Sequence, residues 1–465
     1  MSAADGEGFA IDPTVVRAWK RYPAYKDSGV EWLGEVPAGW DVQKLKFTAR
    51  IKLSSVDKKS EDNEEDVRLC NYTDVYYNDR ITEDLKFMKA TASPEEIASF
   101  TLRQGDVLIT KDSEDWNDIA VPAHVDEDLD GVLCGYHLAQ IRPDQKAADS
   151  KYLFWSFNAR GVNHQFQIAA NGITRYGVGK YWIDNSSFLV PSLPEQHAIA
   201  AFLDRETARL DALIEKKQRF IELLEEKRQA LISHAVTKGL DPDAAMKDSG
   251  VEWVGEVPVH WAIKRLKTIS PRISGRLVYS PAQYFCENGV PFLFGTNVTE
   301  EGISLKDTKF IPHEVNERFK HHALREGDLV MVRVGAPGLT TVVPTEADGL
   351  NCASMMIIRR DLSFNSRWLA FALNSRIGKT QVDITTYGAA QVQINISDAV
   401  NFMIPTPPLD EQNRIVDKLD QRIFKISSIV SLINTNVERL QEYRTALISA
   451  AIIGKIDVRS KTEAT

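Results

Sequence analysis

The side chains able to do covalent chemistry are few and scattered. Four cysteines, Cys70, Cys134, Cys286 and Cys352, form no CxxC pair. Free thiols in a reducing compartment fit them better than disulfides or a zinc site. Of nine histidines only His321-His322 cluster, without other metal-ligand types beside them. No HExxH, no GxxxxGK[ST] phosphate loop and no (D/N)PPY motif of an amino-methyltransferase occurs, and Gly177-Val178-Gly179 lacks the third glycine of a dinucleotide loop. Asp106 and Asp328 recur at matching positions, but each follows a glycine at a strand start, where a turn role explains it. What is left is hydrogen-bonding chemistry on loops. Asn171, Thr174 and Arg175 share one loop and Gln391 and Gln393 another; Lys111, Arg333, Tyr72 and Asn297 sit next to strand-like runs. Such groups recognise a partner and break no bond in it.

The elements that hold these loops come in two copies. Residues 26–37 read KDSGVEWLGEVP and residues 247–258 read KDSGVEWVGEVP, with Leu33 against Val254 as the single difference. Trp40 then matches Trp261, and Leu45-Lys46 matches Leu266-Lys267. Further on, LRQGD (102–106) matches LREGD (324–328), DGVLC (130–134) matches DGLNC (348–352), PSLPEQ (191–196) matches PPLDEQ (407–412), and RQALIS (228–233) matches RTALIS (444–449). Each copy opens with short apolar runs after Gly-Asp turns, 106–110 and 328–332, which read as buried strands. Trp40 and Trp261 read as core.

Each copy closes with a helix. Leu203, Thr207, Leu210, Ile214, Lys217, Ile221, Leu224, Arg228, Leu231 and Ala235 recur with alternating four- and three-residue spacing. In the second copy the series is Leu419, Ile423, Ile426, Val430, Ile433, Val437, Leu440, Arg444, Leu447 and Ala451. A sustained 4-3 repeat is a coiled-coil seam. Ser192 with Glu195 predicts a capping box, the second helix starts nearer Asp410 because Pro408 replaces the serine, and Gly239 and Gly454 predict the stops. Each helix spans ~40–45 residues, or ~60–68 Å. The fold class expected is α+β, with two mixed α/β modules joined by the two helices packed as an antiparallel coiled coil about a pseudo-two-fold axis.

Composition is that of a globular chain, 43% hydrophobic and 26% charged, with a net charge of −9. A non-specific nucleic-acid binder is normally basic, which counts against one here; any affinity for DNA would have to come from a few well-placed side chains or from a basic partner. No apolar run approaches the ~20 residues that span a bilayer. The first residues, MSAADGEGFAIDPTVV, lack a secretory signal pattern, so a cytoplasmic location is expected.

The lead-in KDSGVEWLGEVPxxW, the phrase LPEQHAIAAFLD and the segment ALISHAVTKGLDP, with PPLDEQNRIVDKLD and ALISAAIIGKID in the second copy, resemble the specificity subunits (HsdS) of type I restriction–modification systems. The likeness runs over about 26–457. It implies an N-terminal extension (1–25), a target recognition domain with lead-in (26–192), a conserved helical region (193–246), a second recognition domain (247–406), and a second helical region with tail (407–465). It implies a non-catalytic subunit that reads a bipartite DNA site with one domain per half. The helices, through Leu210, Ile214, Ile221, Leu224, Leu231, Ile426, Val430, Ile433, Val437, Leu440 and Leu447, would set the spacer and dock two methyltransferase subunits. Motor/nuclease subunits would join through that core. S-adenosylmethionine, ATP and Mg²⁺ would be used by the partners, with no cofactor or metal on this chain.

On this reading Arg175 is a candidate for guanine and Gln391 or Gln393 for adenine, since these pairings suit the major-groove edges. Lys111 and Arg333 are candidates for a phosphate or a base, and Asn297 for adenine. The rival readings are a coiled-coil scaffold with two protein-binding modules and no DNA readout, and an enzyme in its own right.

Overall fold

The computed structural model describes residues 19–274, 281–386 and 393–459. The chain divides into two compact units, Met1–Lys217 with Asn434–Thr465, and Gln218–Ile433. The boundaries fall inside two long helices, Leu193–Lys238 (46 residues) and Leu409–Ile452 (44 residues). Each unit therefore takes its β-rich module from one sequence copy and about half of each helix.

The helix ends explain this exchange. Gly239 and Gly454 both take positive φ, 78° and 72°, as residues that stop a helix in the left-handed region do. A side chain at Gly454 would strike the Pro37 ring at 2.4 Å and Trp40 at 3.1 Å, and one at Gly239 would meet Trp261 at 3.3 Å. The stop of each copy's helix thus sits on the lead-in of the other copy. The twelve-residue repeat forms the receiving hairpin, Tyr25–Asp27 against Glu35–Pro37 and Met246–Asp248 against Glu256–Pro258. Trp40 and Trp261 are buried beneath it.

The first module holds a five-stranded sheet in the order Ala49–Leu53, Leu138–Pro143, Val107–Thr110, Pro122–Val125, Arg80–Ile81, antiparallel except for the last pair. The second holds Ile273–Ser274, Met355–Ile358, Leu329–Val332 and Thr340–Val342 in the corresponding order, all antiparallel. The central strand in each case follows the Gly-Asp turn and is buried along its whole length. A second sheet in each module contains a parallel pair, Glu65–Cys70 with Leu129–Cys134 and Val290–Leu293 with Asn351–Cys352.

The turn aspartates have a larger part than a turn. Asp106, fully buried, accepts from the Arg103 amide as expected, and also from Gln140 Nε2 at 2.8 Å and Arg142 Nε at 2.6 Å. Asp328 accepts from the Arg325 and Arg360 amides and pairs with Arg359 at 2.5 Å. A buried carboxylate needs such a partner to remain ionised.

The expected capping box at Ser192 is not the arrangement found. Ser192 offers its carbonyl to the Glu195 and Gln196 amides, while Glu195 lies 3.7 Å from Arg459. The helix start is clamped instead by Gln196, which accepts from the Asp149 amide and donates to the Ala147 and Pro191 carbonyls. Gln412 repeats this with the Asn365 amide and the Pro407 carbonyl. The shared glutamine of PxLxEQ, not the serine, fastens the helix to its module.

Within the first unit the two helix halves run antiparallel, with Asp211 beside Arg444 and Leu203 in one core with Leu447 and Ala451. Within the second, Leu231 and Ala235 share a core with Leu419 and Ile423. All eleven seam residues, Leu210 through Leu447, are buried or half-buried. No described helix is long and apolar enough to cross a membrane.

Candidate nucleic-acid interface

In the first module the candidate residues converge just past the end of the central strand. The chain leaves Val107–Thr110 at Lys111 and forms a two-residue strand, Asp112–Ser113, against Tyr176–Gly177. Asn171 and Gly177 exchange backbone bonds of 3.0 Å and close a short hairpin that lifts Thr174 into solvent. Its turn is tight: a Cβ on Gly172 would lie 1.8 Å from the Arg175 carbonyl oxygen. The Asn171 side chain donates to the Ala169 carbonyl.

Asp112 is the hub. Arg175 Nε donates to its Oδ1 at 2.8 Å, His137 Nδ1 lies 2.6 Å away, and Lys111 Nζ is 3.8 Å from Oδ2. His137 Nδ1 is also 3.2 Å from Arg175 Nη2. Donating to Asp112 and accepting from Arg175 need opposite tautomers, so the two bonds compete. Arg175 is about half exposed, and its Nη1 has no hydrogen-bond partner among the described residues. It is oriented by a carboxylate on one edge and open on the other. Lys111 is less available, because it is mostly buried over the Tyr136 ring at 4.3 Å. Tyr72 lies beside the hub, its hydroxyl 3.1 Å from Ser113 Oγ and its ring stacked on Tyr76 at 5.5 Å. Burial raises the Tyr72 pKa, and the Asp118 carboxylate raises that of Tyr76, so both phenols stay protonated donors at neutral pH.

The second module builds the same place differently. Arg333 occupies the position of Lys111, its carbonyl accepting from the Ile394 amide as the Lys111 carbonyl accepts from the Val178 amide. Its side chain folds back and Nε donates to the Ile394 carbonyl at 3.0 Å. Gln393 bridges to Val334 and is half-buried. Gln391 lies outside the described residues. Asn297 is 6% exposed, with Oδ1 accepting from the Phe294 amide and Nδ2 donating to the Lys306 carbonyl. That makes Asn297 a holder of its loop, with no free edge for a base.

Three groups of residues here escape sequence reasoning. Asp112 and His137 organise the first site; the signal for them is that the copies diverge right after the matched DGVLC/DGLNC stretch, Gly135-Tyr136-His137 against Ala353-Ser354-Met355. Exposed rings and chains crowd the same rim, with Ile173 at 97%, Tyr77 at 75% and Tyr136 at 49%. Finally, the shared arginine of RxALIS ties each helix to a module: Arg228 pairs with Glu300 and Glu301, and Arg444 with Asp79, while also reaching Asp211 on the other helix. Among the described residues no group of three or more His, Cys, Asp or Glu side chains is placed to hold a metal ion.

The fold is similar to that of solved HsdS structures. A chain from a solved structure of the type I R-M system matches with a TM-score of 0.68 at 19% identity, covering 90% of this chain and 99% of that one. The HsdS subunit from Thermoanaerobacter tengcongensis matches with a TM-score of 0.51, also at 19% identity, over 90% and 98%. In sequence, the type I restriction enzyme MjaVIII specificity subunit of Methanocaldococcus jannaschii is 24% identical over 81% of this chain and 83% of its own length. The EcoBI specificity subunit of Escherichia coli is 23% identical over 59% of each. No family model matches the chain. The curated homologues of this chain are type I restriction enzyme specificity subunits.

Proposed function

We propose that this chain is the DNA-reading subunit of a type I restriction–modification complex, each module reading one half of a bipartite site. The observation that carries the reading is a pair of rims at equivalent places with different chemistry: a guanidinium held by Asp112 with one edge open in one, and Gln393 beside an arginine folded onto the Ile394 carbonyl in the other. An asymmetric split target calls for unlike readers on a like frame. The homologues favour this over a scaffold without DNA readout.

On this proposal the two helices pack along their seams as an antiparallel coiled coil, relate the modules by a pseudo-two-fold axis and set the spacer between half-sites. They also dock two methyltransferase subunits, through which motor/nuclease subunits join. An exposed apolar face supports the docking: Phe220, Leu223, Phe424, Ile429 and Leu432 are all exposed on the helices of the second unit, away from the seam. The chain itself carries out no catalysis and binds no cofactor; S-adenosylmethionine, ATP and Mg²⁺ belong to its partners. The location proposed is the cytoplasm.

Methylation mapping in cells carrying the chain with its methyltransferase tests the proposal. It is expected to return a two-part motif. Insertion of one heptad into either helix is expected to lengthen the spacer or abolish assembly, and an unaltered motif in an assembled complex would overturn the ruler role.

A further inference from the structure

At the opposite end of the central strand, each module has an open cleft built on the same residues. In the first module a cleft of about 580 Å³ is lined by Arg103, Gln104, Arg142, Ser150 and His197, among others. In the second a cleft of about 660 Å³ is lined by Arg272, His321, Arg325, Glu326, Arg359 and Arg360, among others. Arg103 corresponds to Arg325 by the LRxGD repeat, and Arg142 to Arg359 by their pairing with Asp106 and Asp328. Arg50, the cross-strand neighbour of Arg142, corresponds to Arg272, whose carbonyl accepts from the Arg359 amide.

Arg142 and Arg359 have a structural reason to recur, since each neutralises a buried aspartate. Arg103 and Arg325 do not. Both are exposed; Arg103 pairs with the exposed Asp130 at 2.8 Å, and neither side chain is needed to satisfy a buried group. Among the described residues no carboxylate lies within ion-pair distance of Arg325 or Arg360. Arg50 and Arg142 lie close enough to Lys52 to add to burial in holding its pKa down, against the pull of Asp106.

We propose that the two clefts grip phosphodiesters of the DNA duplex, one on each half-site. This rests on the DNA-reading function proposed above. The rims diverge because the two half-sites differ in sequence. The clefts agree because the backbone is the same in both, and a guanidinium fork fits a phosphate bidentately. The spacing suits the task. From Asp106 to Lys111 is five residues of strand, ~17 Å at ~3.4 Å per residue, enough to pass beyond a major groove ~12 Å wide. A module with its rim at the bases thereby brings its cleft to the flanking backbone.

The test uses the full chain co-purified with its methyltransferase subunits, and two duplexes, one carrying the mapped motif and one scrambled. The Arg103→Gln/Arg325→Gln double variant is expected to lose roughly tenfold affinity for both duplexes. The slope of log affinity against log salt is expected to fall by about two, at ~0.9 per phosphate contact. The methylated motif stays the same, and Arg→Lys variants recover most of the slope. Thermal unfolding shows whether the variants are folded. Unchanged affinity and slope in a folded variant, while the wild type still binds its motif tightly, overturn the clefts and leave the reading function standing. Loss of the methyltransferase subunits from the purified complex also overturns the proposal, assigning the clefts to a protein partner. A wild-type complex that binds neither duplex overturns both.

Discussion

In the first module the rim beyond the central strand is made of ions and rings; in the second, among the described residues, the arginine at the same place turns to the backbone. Arg175 leans on the Asp112 carboxylate and keeps one edge open, whereas Arg333 spends its Nε on the Ile394 carbonyl. The frames beneath are alike, down to a buried aspartate, an arginine partner and a glutamine clamp. The constraint on the frame is packing and satisfied burial, which any copy must obey. The rim carries no such constraint and is free to follow its target.

The sharpest way to break this comparison is through the buried aspartates. Asp328→Ala is expected to destabilise the second unit by about 3 kcal/mol, because Arg359, 14% exposed, is left as a buried unpaired charge. Asp106→Ala is expected to cost less, roughly 1–3 kcal/mol, because Arg142 is 44% exposed and can rehydrate. Denaturant unfolding followed by module-resolved hydrogen exchange checks both, and equal losses would show that exposure of the partner does not matter. Next in size, Arg175→Ala is expected to weaken binding by ~1–3 kcal/mol at one half-site only. Arg333→Ala is expected to loosen its loop by about 1 kcal/mol with little change in sequence preference. A motif relaxed at both half-sites by Arg175→Ala would contradict the division of labour.

A smaller effect separates the units by pH. His124 sits in the first sheet between Asp126, at 2.5 Å, and Ser150, at 3.0 Å, with Arg80 and Lys151 nearby. Burial holds its pKa below the usual histidine range, against the pull of Asp126. The folded state therefore keeps it neutral while the unfolded chain takes up a proton near pH 6.5. Stability is full above about pH 6.5 and is lost as pH falls below it. Val342 holds the matching place in the second sheet and has nothing to titrate. His124→Gln is expected to flatten the acid side of the first unit's melting-temperature profile and leave the second unit's unchanged. Smallest of all, Thr174→Ala on the exposed hairpin is expected to move stability by less than ~0.5 kcal/mol.

The sequence made some of this legible and hid the rest for physical reasons. Helix stops at Gly239 and Gly454, the buried tryptophans and the central strands follow from local pattern, because each depends on neighbours a few residues away. The Asp112–Arg175–His137 hub spans 63 residues, and no periodicity links those positions. Asn297 reads as a plausible base contact because its type is right; only the fold reveals that both ends of its amide are already engaged. Arg228 and Arg444 pass as apolar-type members of the 4-3 pattern, yet Arg228 pairs with Glu300 and Glu301 of a module and Arg444 divides between Asp79 of a module and Asp211 on the first helix.

The resting of Gly454 on Pro37 and Trp40 has a consequence for synthesis. The Tyr25 hydroxyl bonds the Gly454 carbonyl across 429 positions, and Trp19 bonds Tyr443 across 424. A ribosome adding ~5–20 residues per second needs roughly 10–40 s to travel from the end of the first segment of this unit, Lys217, to its resumption at Asn434. The other unit, Gln218–Ile433, is contiguous and is complete as soon as it emerges. The module made first is thus the last to close, and meanwhile its half of the first helix holds an uncovered apolar stripe. Slow, long-range closure of this kind exposes a chain to aggregation and to holding by chaperones.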